Sequence, residues 1–311
     1  MNWRYKALAQ WGFSFLPAGD RLNYLAQTRL TRNLPFSAAY LIHDLMPIAQ
    51  AHIGAVQRKV QRPLADLSFY EFGAGVHLSL PLLYWCLGVQ RQMVTDLRPL
   101  ANLSLVNHTI ELLRNAGPDF GLPCVPQQTL RSESFEADLQ NHYGICYRAP
   151  FDARDTGLPY GSIDCITTTS TLEHIPQRDL ARVLTECARI LAPDGIASMI
   201  IDYKDHYSYF DGDLSSYNFL RYSSRQWLLY NPPLQYQNRL RHSDYLTLAR
   251  GADLAVIEEH RVDGSEENRQ EILGLGVDYQ FESLQLSDLA VRESHLVLKR
   301  AAHAVPTCAS L

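Results

Sequence analysis

Glu71-Phe72-Gly73-Ala74-Gly75-Val76-His77 is the heptad best equipped for chemistry in this chain of 311 residues. Two glycines spaced by one residue let a backbone turn sharply out of a strand and let a ligand approach it closely. The helix that follows offers free N–H groups at its first turn. Asp96 lies 21 residues after Gly75, where an acid can accept hydrogen bonds from both ribose hydroxyls of an adenosine cofactor. Asp152, in Ala149-Pro150-Phe151-Asp152-Ala153, is a third acid in a loop context. Two histidines stand just beyond expected strands, His174 after the fourth and His206 after the fifth. Either could take a proton from a hydroxyl acceptor, with Glu173 and Asp205 as neighbouring carboxylates. Asp202, Asp205, Asp211 and Asp213 are close in sequence, but their spacing matches no metal-binding motif, so no metal is expected.

These residues need a scaffold, and the hydrophobic pattern supplies one. Ser68–Phe72, Gln92–Thr95, Gly144–Tyr147, Ser162–Thr167 and Ile196–Ile201 read as short strands. Between them lie apolar helical stretches: Leu78 to Leu87, a helix starting at Pro99 and closed by Gly117, and Pro176–Leu191. Residues 117–143 are poorly periodic and are expected to be irregular, and Pro193-Asp194-Gly195 to be a turn ahead of the fifth strand. Leu254–His260 and Ser294–Lys299 are two further β-like runs. Strand, glycine loop, helix, strand, acid, helix is the opening of a parallel doubly wound α/β sheet.

The loop does not fit every nucleotide binder. A dinucleotide fingerprint wants Gly or Ala at its sixth position, and Leu78 stands there. A P-loop needs Gly-Lys-Ser/Thr, which is absent. The heptad instead resembles motif I of class I S-adenosylmethionine-dependent methyltransferases, with Glu71, Gly73 and Gly75 in place and His77 where a third glycine is usual. The resemblance runs through Asp96, Asp152-Ala153, Leu158-Pro159-Tyr160-Gly161-Ser162-Ile163-Asp164, the Leu172-Glu173-His174 of Thr168–Ile175, and the Leu191-Ala192-Pro193-Asp194-Gly195 turn. It covers roughly residues 65–203 and the closing strands.

That resemblance implies a Rossmann-like, doubly wound, seven-stranded, mostly parallel sheet with an antiparallel last strand, plus N-terminal helices and a cap insertion. It implies S-adenosyl-L-methionine as cofactor, held by Glu71, Gly73, Ala74, Gly75, His77, Asp96, Leu97, Asp152, Ala153 and Thr169. It also implies methyl transfer to a small polar or sugar-like acceptor, with oxygen ahead of nitrogen and sulfur as the acceptor atom. The competing reading is a catalytically silent binding or scaffold protein that uses a tyrosine-rich face.

That face is the oddest part of the composition. Eight of the 17 tyrosines fall between Tyr203 and Tyr245, more than three times an even spread. Tyrosine gives rigid amphipathic surface, and arginine gives a fork for anionic groups. The segment leaves strand five at its carboxyl end, where open α/β sheets bind ligands. Tyr203, Asp205, Tyr207, Asn218, Tyr222 and Arg225 are therefore the expected acceptor contacts.

The expected domain plan is an N-terminal helical extension over residues 1–62, a catalytic domain over 63–300 with the cap at 203–250, and a flexible tail at 301–311. In the extension, Leu22, Leu25 and Leu30 share one face beyond a break at Pro17–Asp20, and Ala38–Val60 is helical with a kink at Pro47. The extension could pack, form a homodimer or cover the site. A net charge of −5 argues against a nucleic-acid binder with a broad basic face. Six cysteines without a C-x-x-C pair suit a reducing compartment. No apolar run suggests a membrane span or signal peptide, so a cytoplasmic location without a membrane partner is expected.

Overall fold

The structure is a computed structural model that describes residues 2–16 and 35–301. The expected helical face of Leu22, Leu25 and Leu30, the break at Pro17–Asp20, and the tail from residue 302 lie outside the described residues.

Seven strands form one sheet in the order β3-β2-β1-β4-β5-β7-β6. They are β1 (Ser68–Phe72), β2 (Arg91–Thr95), β3 (Ile145–Arg148), β4 (Ile163–Thr169), β5 (Leu191–Asp202), β6 (Leu254–Val262) and β7 (Glu293–Arg300). β1 to β5 pair in parallel, and β7 runs antiparallel to both β5 and β6. The sheet therefore has the expected strand number and the expected antiparallel closing strand.

Side chains alternate across the strands, so Phe69 enters one core and Tyr70 the other. The first core packs α2 (Met46–Lys59), α3 (Ser79–Cys86), α4 (Leu103–Ala116) and α5 (Phe135–Tyr143) against the sheet. The second packs α6 (Gln177–Ile190) and α7 (His242–Gly251) on the other face. α6 keeps its expected apolar stripe, with Leu180, Val183, Leu184, Cys187 and Ile190 buried.

Three local expectations need correction. Residues 117–143 are not wholly irregular: α5 forms there, with Asp138 accepting from the Arg131 N–H and the Ser134 hydroxyl. Of that helix Leu139 and Tyr143 are buried and Phe135 is half-buried against the first core, a stripe too short to stand out in the sequence. The helix expected from Pro99 starts at Leu103, because the Asn102 side chain caps it by accepting from the N–H groups of Ser104 and Leu105. Pro193-Asp194-Gly195 does not precede the fifth strand but interrupts it. Leu191 already pairs with Ile163, and pairing resumes at Ile196 with Cys165, so the residues between bulge out of one strand.

The N-terminal extension splits between two layers. Ala38–Tyr40, a π-turn at Leu41–Leu45 and α2 form one helical run against the sheet, with Pro47 accommodated near the start of α2. Within it, His52 is fully buried, its Nδ1 2.8 Å from Ser198 Oγ on β5 and its Nε2 2.9 Å from Thr169 Oγ1 on β4. α1 (Trp3–Ser14) belongs instead to the cap. Trp3 packs against the rings of Tyr207, Tyr222 and Tyr230, and its backbone N–H donates to Asp211. Together with Tyr217, Phe219, Leu220, Trp227, Ile272 and Phe281 they make a third apolar core.

Candidate functional site

The glycine loop follows β1 at the carboxyl edge of the sheet. The N–H groups of Gly73 and Ala74 donate to Thr95 O, 2.9 and 3.2 Å away, at the end of β2. Gly73 and Gly75 have φ of +82° and +67°, where side chains are strained. The two glycines serve different ends. A Cβ on Gly73 would meet Thr171 Oγ1 at 2.2 Å, whereas a Cβ on Gly75 would meet nothing within 4 Å. Gly73 lets the turn after β4 press on the loop, and Gly75 keeps open space above it. α3 begins behind the loop with no acidic residue in its first turn and no side-chain cap. Its N–H groups remain available to an anionic group.

Asp96 sits just past β2. One carboxylate oxygen accepts from the Gly75 N–H at 3.2 Å and the other from the Arg98 N–H at 3.1 Å. Each oxygen keeps a further lone pair for a ligand hydroxyl. Leu97, next to it, is 64% exposed, an apolar surface that a base ring could cover. Asp152 is more occupied: both its oxygens accept from the Arg154 guanidinium, which also reaches Asp179. Hydrogen bonding from Arg154 holds the Asp152 carboxyl below its ordinary range. Ala153 is half-buried against the second core.

The remaining cofactor candidates act from behind the loop. Glu71 is buried, accepts from the Thr167 hydroxyl at 2.9 Å, and is pushed up to about 7 by burial. Thr169 points its hydroxyl at His52. His77 packs on Phe36 with ring centroids 4.4 Å apart, and neither ring nitrogen has a hydrogen-bond partner. Burial pushes His77 down to about 4, so at neutral pH its ring is uncharged.

The two histidines, 32 residues apart in sequence, come together. Glu173 and His174 lie in a 3₁₀ turn after β4, and His206 begins another after β5. The His174 and His206 ring centroids are 4.8 Å apart. His174 Nδ1 donates to Tyr236 O at 2.7 Å, and burial followed by the neighbouring His206 pushes it down to about 4. His206 Nε2 lies 3.3 Å from Asp202 Oδ2 and 3.9 Å from Glu173 Oε1. The Tyr209 hydroxyl donates to Asp202, and Lys204 Nζ stands 3.6 Å from its other oxygen. Lys204 and Tyr209 also line an open hollow of about 390 Å³, with Ser215, Ser216, Asn268 and Arg292.

The structure gives most of the expected acceptor contacts another job. Asp205 is fully buried, accepts from the Tyr207 N–H and from Asn218 Nδ2, and so fixes the turn that carries His206. Burial pushes its carboxyl up to about 6. Tyr203 is buried, its hydroxyl 2.7 Å from Ser294 Oγ and 3.2 Å from His242 Nδ1. Tyr207 donates to Tyr230 O, and Asn218 is buried beside Asp205. Tyr222 packs in the third core, and Arg225 is exposed on the outer surface of the cap. Sequence reasoning missed the contacts of Tyr209 and Lys204 with Asp202 and of Thr171 with the glycine loop. Tyr209 stood in the tyrosine-rich segment already singled out, but Thr171 gave no signal beyond its place after a strand.

The sheet order, the glycine loop at the end of β1 and the acid at the end of β2 stand together at one edge. Residues 130–199 match the family described as Methyltransferase domain. The chain has a Rossmann-like methyltransferase fold. Among curated proteins none matches it. Solved structures similar to it include the 1,6-didemethyltoxoflavin-N1-methyltransferase of Burkholderia thailandensis, with bound 1,6-didemethyltoxoflavin and S-adenosylhomocysteine. It is 12% identical with a TM-score of 0.46, covering 91% of this chain and 87% of that one. Geranyl diphosphate C-methyltransferase from Streptomyces coelicolor A3(2), in complex with Mg²⁺, geranyl diphosphate and S-adenosyl-L-homocysteine, is 13% identical with a TM-score of 0.47. The match covers 88% of each chain. Among the described residues of this methyltransferase fold, no helix is long and apolar enough to cross a membrane.

Proposed function

We propose that the protein transfers the methyl group of S-adenosyl-L-methionine to a small-molecule acceptor held between the carboxyl edge of the sheet and the cap. The observation that carries this reading is the contact of Thr171 with Gly73. It joins the cofactor loop to the turn that presents Glu173 and His174, so both halves of a transfer site share one edge.

The residues present fit the cofactor. Open space above Gly75, the uncapped start of α3, the spare lone pairs of Asp96 and the exposed Leu97 suit a carboxylate, a ribose and a base in turn. When bound, the cofactor supplies a methyl group on a positively charged sulfur. The protein's part is then to hold and align. Asp96 holds the ribose, with Leu97 and the Asp152–Ala153 turn beside the base. Glu71 braces the loop through Thr167 rather than touching the ligand.

At the acceptor end, His206 with its Nε2 facing Asp202 takes a proton from a hydroxyl or amine, and His174 stands beside it. Tyr209 and Lys204 line the approach, while Tyr203, Asp205, Tyr207 and Asn218 shape it from behind. Titration calorimetry with S-adenosylhomocysteine tests the reading. The intact protein binds it in the micromolar range, and Asp96→Ala weakens binding by about 10- to 100-fold, the worth of one or two charge-assisted hydrogen bonds. Absence of binding to the intact protein sinks the proposal, and a scaffold role then gains ground.

A further inference from the structure

The turn after β4 and the turn after β5 leave an unusual set of atoms facing one another. Glu173, His174 and His206 each offer one donor atom, and the three lie within 4.8 Å of one another. Glu173 is 2% exposed, and neither of its carboxylate oxygens has a well-formed hydrogen bond, the backbone N–H groups of Glu173 and Asp202 being the nearest donors. The His206 Nε2 atom is likewise buried without one. Three poorly satisfied polar atoms at one point are rare in folded proteins, because each buried group gives up its hydration without a full bond in return.

A proton does not resolve the cluster. A neutral Glu173 carboxyl still needs an acceptor for its hydrogen, and no oxygen or nitrogen is bonded to it. The Asp202–His206 pair satisfies His206 only in part, at 3.3 Å, and leaves Glu173 as it was. A divalent cation satisfies all three at once. His174 is already prepared for one: Nδ1 donates to Tyr236 O, which fixes the tautomer whose Nε2 carries a lone pair. Asp202, held by Tyr209 and near Lys204, faces that same His206 Nε2 at 3.3 Å, so its carboxylate stands beside the cation position and adds negative charge there.

We propose that Glu173, His174 and His206 form a three-ligand site for a divalent transition metal at the acceptor end of the pocket. Two imidazoles and one carboxylate suit zinc, manganese or ferrous iron, whereas magnesium and calcium favour all-oxygen sites. Ligand atoms around a metal at 2.0–2.2 Å stand about 3.4 Å apart in a tetrahedron, so closure from 4.8 Å needs side-chain shifts of roughly an ångström. Three protein ligands leave a position open, and an acceptor oxygen or nitrogen would sit there. This deepens the proposed methyl transfer and rests on it: with a cation bound, the histidines act as ligands, and the cation takes over the work of acidifying the acceptor.

The test uses the full chain stripped with a chelator and titrated with Co²⁺ and Zn²⁺ alone. The wild type takes up one equivalent, with visible Co²⁺ absorption bands of a nitrogen–oxygen site that Zn²⁺ displaces. Glu173→Gln and His206→Ala each weaken uptake by more than about 100-fold, since even outer-shell changes cost 10- to 100-fold. Circular dichroism confirms folding, and the near-isosteric Glu173→Gln guards against collapse of the bulkier change. No uptake by the folded wild type, or equal uptake by the variants, overturns the proposal. S-adenosylhomocysteine binding to the metal-free protein is measured in parallel. If it persists without metal uptake, only the metal site fails, whereas metal uptake without it removes the methyl-transfer reading and leaves the metal site standing.

Discussion

Replacing Gly73 with alanine probes the contact on which the site is built. The new Cβ would stand 2.2 Å from Thr171 Oγ1, 2.4 Å from its Cγ2 and 2.9 Å from its Cβ. Rotation of Thr171 relieves the first two contacts but breaks its hydrogen bond to Thr169 O, at 3.0 Å. That bond is worth about 1 kcal/mol, and alanine at φ +82° adds about 1–2 kcal/mol. The sum, about 2–3 kcal/mol, corresponds to a fall in Tm of roughly 3–5 °C for a chain of this size. Because the strain lies in the loop, S-adenosylhomocysteine affinity falls too, by about tenfold or more. Differential scanning fluorimetry and calorimetry read the two effects. A second substitution separates clash from backbone strain: Thr171→Ala leaves the 2.9 Å contact, while Thr171→Gly removes every clashing atom. In the Gly73→Ala background the glycine change therefore recovers more stability than the alanine change, and neither recovers the share due to φ. A cycle with no coupling between positions 73 and 171 would refute the reasoning, as would a Gly73→Ala protein as stable as the wild type.

Two further changes probe the support behind the site and the cap. Glu71 has a folded-state pKa near 7, raised by burial, against about 4.5 unfolded, so the wild type loses stability as pH rises through that window. Glu71→Gln lacks this dependence and keeps an oxygen for Thr167. Its stability relative to wild type should therefore improve by about 2–3 kcal/mol between pH 4.5 and 7.5 in urea melts, and a pH-independent difference refutes the buried-acid assignment. In the cap, Tyr222→Ala removes a ring packed on Trp3, Trp227 and Tyr230 and should cost about 2–3 kcal/mol, whereas Arg225→Ala, on an exposed turn, should stay within about 0.5 kcal/mol. Equal melting temperatures for the two variants would mean that Tyr222 does not belong to the core.

Much of the sheet was legible because strand, glycine loop and acid are local signals. Ser68–Phe72 reads as a strand with the bounds the structure gives it, and Asp96 falls where the loop spacing puts it. What escaped depends on contacts distant in sequence. β5 starts five residues before its expected first residue because Leu191 pairs with Ile163 across the bulge, a partnership that turn-forming residues conceal. α5 is fixed by Asp138 gathering Arg131 and Ser134, with little apolar periodicity to announce it. The pairing of His174 with His206 follows from β4 and β5 being neighbours, which the resemblance implied, but nothing local set their rings 4.8 Å apart.

The cap shows how composition can locate a feature and mislead about its use. Tyrosine and arginine crowd the segment after β5, and both types suit ligand recognition. Yet Tyr203, Tyr207, Tyr217 and Tyr245 are buried. Arg241 is fully buried, donating to the carbonyls of Tyr203, Leu289 and Val291 while its guanidinium lies over the Tyr203 and Phe219 rings. Arg239 does the same for Phe219 and Tyr222 between Trp227 and Phe281. The reason is a shortage of regular structure: a segment of short 3₁₀ turns exposes carbonyls that no ladder pairs, and a five-donor fork satisfies several of them at one point. Tyrosine adds apolar bulk with a hydroxyl to settle one more. The rigidity so gained serves one narrow task, holding residues 236–238 over the β4 turn through Tyr236 O and Asn238, and His206 beside it through Asp205 and Gln237. The aromatic cap thus acts on the candidate site through position, by fixing the turns that carry His174 and His206.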